Sequence, residues 1–165
     1  MKLTINKKSI IARVRDILLV IVFFSVFVSF FPAFDDKWIA FSFLLAIAVL
    51  PSIILLIEYL VATTKIEWVE LFDDRLEINY KTGQLISRHY EDIKVVELYK
   101  AAGMDKGNYS FNSNEKYWFA RIIPKNGETI ILTSLLGPEL SSALDMMTNV
   151  PVDRTRTGFA FIYLM

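Results

Sequence analysis

Residues Ile17 to Phe34 (ILLVIVFFSVFVSFFPAF) form a run without a charge, and a second, Trp38 to Ile57 (WIAFSFLLAIAVLPSIILLI), follows directly after Asp35, Asp36 and Lys37. At roughly 1.5 Å rise per residue, helices of this length match a hydrocarbon core of about 30 Å. The runs therefore predict two antiparallel membrane spans, about residues 17–34 and 38–60, joined by a short connection. The first is not read as a cleaved leader. Its apolar region is too long, and Phe31 stands two residues before Ala33 where a small residue is needed.

Charge placement sets the expected orientation. Lys2, Lys7, Lys8, Arg13 and Arg15 precede the first run, opposed only by Asp16. The positive-inside bias then puts both termini of a multi-pass membrane protein in the cytoplasm. Glycine is absent from both runs, which excludes a GxxxG contact, but small residues recur four apart at Ser25, Ser29 and Ala33. Pro51 is expected to kink the second helix, and Glu58 to reach water at its end.

From Lys65 onward the pattern changes to short runs separated by turn signals. Leu76, Ile78 and Tyr80 alternate with Glu77 and Asn79, as in a half-buried strand. Asp73-Asp74-Arg75 and Lys81-Thr82-Gly83 read as turns, and Asn126-Gly127 as the turn of a hairpin between Tyr117–Ile123 and Glu128–Ser134. Gly137-Pro138 opens a helix over 138–149 whose Leu140, Ala143, Leu144 and Met147 form one apolar stripe. Three regions are expected: a basic segment with a two-span hairpin (1–63), a β domain closed by a helix (64–150) and an apolar tail (151–165).

The meander, with D-D-R-L-E-I, Y-E-D-I-K-V-V-E and a last helix in G-P-E-L-S-S-A-L, resembles the bacterial pleckstrin-homology-like domains over roughly residues 64–149. Many of those follow two N-terminal spans, so the resemblance implies a multi-pass protein of the bacterial inner membrane with both termini cytoplasmic. The resemblance implies a mostly antiparallel barrel or sandwich, a four-strand sheet across a three-strand sheet, closed by the C-terminal amphipathic helix. The expected fold class is thus an α+β membrane protein.

Material for chemistry is sparse. Cysteine is absent and His89 is the single histidine, which excludes thiolate sites and leaves almost nothing for a His-metal cluster or a Ser-His-acid triad. Asp73-Asp74 has the residue types for a hard cation, but a turn is the ordinary use of such a pair. No catalytic, metal or cofactor residues are assigned, and an enzyme is not expected. Lys81, Arg88, Lys100, Lys106 and Lys125 form no basic run in a region holding twelve Lys and Arg against fourteen Asp and Glu from Thr64, so neither nucleic acid nor phosphoinositide recognition is implied.

Binding is the better class. Tyr109 and Phe111 in the longest loop are candidate partner contacts, whereas Tyr117, Trp118 and Phe119 read as core. Gly158 to Met165 (GFAFIYLM) would put Phe159, Phe161 and Tyr163 on one strand face. The tail has three homes: its own domain, a partner, or the bilayer surface. The expectation is a non-enzymatic scaffolding module. Its partners would be the lipid bilayer and an unidentified membrane or cytoplasmic protein, a second copy included, with no small-molecule substrate. The alternative is an immunity-type or accessory subunit acting through the hairpin.

Overall fold

The computed structural model describes residues 1–30, 37–101, 117–145, 147, 150–157 and 160–163. Strand β1 (Lys2–Thr4) leads into helix α1 (Lys7–Phe30), which is followed by helix α2 (Lys37–Thr64). Asn6 caps α1, its side-chain oxygen accepting from the amides of Lys8 (3.1 Å) and Ser9 (3.3 Å). Strands β2 (Ile66–Leu71), β3 (Arg75–Tyr80), β4 (Leu85–His89) and β5 (Ile93–Ala101) come next. After them stand β6 (Trp118–Pro124), β7 (Ile130–Thr133), the short helix α3 (Glu139–Asp145) and β8 (Val152–Thr157).

The strands make two four-stranded sheets, in orders β1-β2-β3-β4 and β7-β6-β5-β8. The first is a meander extended at its open edge by the N-terminus: Leu3 pairs with Val69 and is itself buried. Gly83 closes the β3–β4 turn at φ +83°, a backbone conformation natural to glycine. The second sheet is mixed, because β8 runs parallel to β5 with Leu98 opposite Arg154. A parallel partner needs a long crossover, supplied here by β6, β7 and α3. The resemblance implied four strands across three; the described residues show four in each sheet and no closed barrel.

The main core lies between the sheets. Val69, Leu76 and Ile78 of one meet Leu98, Ile122 and Leu132 of the other, and α3 adds Leu140, Ala143 and Leu144 to the same cluster. Strand β6 is apolar on successive residues because it is covered twice. Trp118, Ala120 and Ile122 face the core between the sheets, and Phe119 faces a second cluster under α2 with Tyr117 beside it.

The expected two-span hairpin is corrected. Among the described residues no helix is long and apolar enough to cross a membrane. Charges persist in α1 as far as Asp16, so its uncharged described part, Ile17 to Phe30, reaches only about 21 Å at ~1.5 Å per residue, short of a ~30 Å core. The C-terminal half of α2 is protein interior on one face, where Leu55, Tyr59 and Thr63 are buried. The multi-pass inner-membrane placement with two cytoplasmic termini rested on those spans and falls with them. Residues 31–36, where the first span was to end and the connection to lie, are outside the described residues.

Candidate interaction surface

Both helices begin or end on the β7–β6 side of the second sheet, and a polar network fastens them there. The Leu135 amide donates to Thr133 Oγ1 (3.2 Å), and the Thr133 and Thr63 hydroxyls share a hydrogen bond. The single Thr63 proton is committed to the Tyr59 carbonyl (2.6 Å), so Thr133 is the donor of the shared bond. Tyr59 in turn donates to the Ala160 carbonyl (2.9 Å), and the Ile162 amide donates to Glu58 Oε2 (2.8 Å). Glu58 therefore holds the C-terminal segment instead of simply reaching water.

Arg13 is the notable group in this interior. Only 5% exposed, it donates from Nη2 to Ser134 Oγ (3.0 Å) and lies 4.3 Å over the Tyr117 ring. Its Nε and Nη1 have no hydrogen-bond partner among the described residues, nor does the Tyr117 hydroxyl. That hydroxyl lies outside hydrogen-bonding geometry with the guanidinium, so the coupling between them is electrostatic. Burial pulls the Arg13 guanidinium below its ordinary range, partly offset by Tyr117, Tyr59 and Asp16. Burial pushes the Tyr117 phenol up to about 12, against the lowering effect of Arg13, and raises Tyr59 more strongly. Tyr59 packs edge-on against Tyr117 (4.9 Å between centroids), supporting the ring that the guanidinium covers.

The outer side of the same helices is the reverse. On α1, Leu18, Leu19, Val22, Phe23, Val26 and Phe27 are exposed, with Phe23 and Phe27 stacked on each other at 6.2 Å. On α2, Ile39, Phe43, Ile47, Leu50, Ile57 and Val61 are exposed. The helices pack against each other, so these faces belong to one hairpin-like unit. Contiguous apolar surface on this scale marks an interaction site. Of charged side chains, α1 carries its own before Ile17, and none interrupts the outer row of α2.

The residues singled out in the sequence fall elsewhere or only partly here. Tyr109, Phe111 and Phe159 lie outside the described residues, as does Lys106. Phe161 is half-buried against the cluster under α2, whose buried members include its neighbours Ala160 and Ile162; Tyr163 is exposed. These positions do not form a strand: β8 ends at Thr157, before them. Tyr117, Trp118 and Phe119 are all buried. His89 ends β4 in the open, its Nδ1 3.6 Å from Asp74, and Asp74 also pairs with Arg75 (3.2 Å). No group of acidic or histidine side chains suited to a metal ion occurs among the described residues. The outer row of α2 was visible in the sequence but submerged in a helix apolar on every side. Only the burial of its opposite face separates it.

Comparison with protein-family models, with curated proteins and with solved structures returns no match for this chain.

Proposed function

We propose that the chain is a non-enzymatic binding module that docks a protein partner on the outer apolar face of α1 and α2. The observation carrying this reading is the outer row itself: large aliphatic and aromatic side chains of α1 and α2 stand exposed, while the opposite side of the helices is already packed and hydrogen-bonded to the sheet. Leaving that many apolar side chains in water is unfavourable at roughly 25 cal/mol per Å², so covering them drives association. The two-sheet body acts as the rigid support, in keeping with the pleckstrin-homology-like resemblance of residues 64–149. Its α3 and β8 brace the strands that carry Phe119 and Tyr99 toward the helices.

The test compares the full chain with Phe23→Lys and Leu50→Lys variants, each used as bait in a non-denaturing detergent. Both residues are exposed, so both variants are expected to keep the parent's circular dichroism while losing the bound protein. Retention of that protein by both variants would place the docking surface elsewhere.

A further inference from the structure

The exposed side of α2 is more ordered than a merely greasy surface. Phe43, Ile47, Leu50, Ile54, Ile57 and Val61 follow one another at alternating steps of four and three, and all six are exposed. That is the 3.5-residue repeat of a helix–helix seam. Written as a heptad, Ile47, Ile54 and Val61 fall at a, and Phe43, Leu50 and Ile57 at d. Every a residue is β-branched, and Leu50 occupies the middle d. In a parallel arrangement, β-branched residues at a with Leu at the middle d suit two strands.

Val49, Ser52, Leu55, Tyr59 and Thr63 are buried on the opposite side of the helix, with Leu55, Tyr59 and Thr63 against the body. Two copies related by a two-fold axis parallel to α2 would therefore bring the seams together and carry the sheets outward. The area is adequate. With Ile39 and Ile53, eight large side chains stand 38% to 67% exposed. At ~180 Å² for a fully exposed side chain they offer on the order of 750 Å², beside the ~800 Å² that each partner contributes to a standard interface.

From this seam we infer that the partner on α2 is a second copy of this chain, paired in parallel through Phe43, Ile47, Leu50, Ile54, Ile57 and Val61. The inference rests on the binding-module reading and names its partner. In a symmetric parallel pair each a residue meets its own equivalent, so Ile54 faces Ile54 of the second copy.

The chain contains no cysteine, which makes single-cysteine cross-linking clean. In detergent with micelles in excess over protein, Ile54→Cys is expected to oxidise to a disulfide-linked dimer, and the exposed Leu85→Cys on β4 to remain monomeric. Sedimentation of the cysteine-free chain should give twice the chain mass, falling to the monomer in Leu50→Asp/Ile54→Asp. Equal cross-linking at positions 54 and 85, or a monomer at tens of micromolar, overturns the second-copy assignment. If that monomer still captures a different protein and loses it in the double variant, the binding-module reading survives alone. If it instead floats with phosphatidylglycerol–phosphatidylcholine vesicles and the double variant does not, the seam faces lipid and both readings fall.

Discussion

Between the two sheets the buried side chains are mostly aliphatic and come from alternate positions of β2, β3, β5 and β6. Beneath the helix pair the buried set mixes the aromatics Tyr59, Tyr117 and Phe119 with aliphatic side chains, and the buried polar side chains gather on this side: Arg13, Ser52, Thr63, Thr133 and Ser134. The first interior needs only shape, since each strand satisfies its own polar groups in the sheet ladder. The second joins a helix pair and a C-terminal segment to a sheet face, and side-chain hydrogen bonds set their positions. The difference shows what each interior asks of its side chains. On the helix side a buried charge and several hydroxyls fix the seating, and the outer face left apolar is the surface on which the proposed docking rests.

The contrast can be broken most severely in the sheet interior. Leu144 is 1% exposed on α3, so Leu144→Asp buries a charge with no partner and is expected to cost about 5 kcal/mol. Chemical denaturation of the full chain reads this directly. A variant that unfolds at the parent's midpoint would remove α3 from the core.

Strand β6 allows both interiors to be probed three residues apart. Ile122→Ala opens the sheet side and Phe119→Ala the helix side, with expected losses of about 2–5 and 3–5 kcal/mol respectively. Should Phe119→Ala cost under 1 kcal/mol, the interior beneath the helices is loosely packed and the contrast collapses.

Smaller effects separate the polar network from simple packing. Tyr59→Phe deletes the hydrogen bond to the Ala160 carbonyl and should cost about 1 kcal/mol. A sharper readout is faster proteolysis after Thr157. Unchanged proteolysis would show that Ala160 and Ile162 hold the tail by packing alone.

Tyr117→Phe is expected to change stability least at neutral pH. It removes a buried hydroxyl that lacks a hydrogen-bond partner and keeps the ring under Arg13. Its signature is alkaline. Tyr117 titrates near 12 in the folded chain, against about 10 when unfolded. The unfolded state therefore gives up this proton first, and stability is full below pH ~10 and declines between ~10 and ~12. Tyr59, raised in the same direction, contributes a similar decline. The Tyr117→Phe chain should show a shallower fall of melting temperature over that window; an identical slope would mean that Tyr117 is not sealed in.

Much of the strand pattern was readable from local chemistry. The alternation of Leu76, Ile78 and Tyr80 is strand β3, and Asp73-Asp74 and Lys81-Thr82-Gly83 are its flanking turns. Strands β1 and β8 were not readable. Three residues of Lys-Leu-Thr carry no periodicity, and Val152–Thr157 is mostly polar, lying at a sheet edge with no residue fully buried. The ends of the chain become strands because unpaired edges of β2 and β5 accept them, and that contact is non-local. The exposed apolar face of the helices was legible only as hydrophobicity. Arg13 looked like one of five basic residues ahead of a span, and its burial could not be inferred from its neighbours.

Composition and order by themselves determined two long apolar helices, a turn-punctuated β region and a short closing helix, because periodicity, turn residues and helix-starting Pro138 act over a few residues. They also led to membrane spans, since an uncharged run has the same appearance whether lipid or protein surrounds it. Tertiary structure decided which side of α2 is interior, placing Tyr59 and Thr63 against β7 and the C-terminal segment and leaving Leu50 and Ile57 outside. A helix apolar on every side has no preferred rotation of its own. Its orientation comes from the hydrogen bonds and packing that the sheet offers to one face.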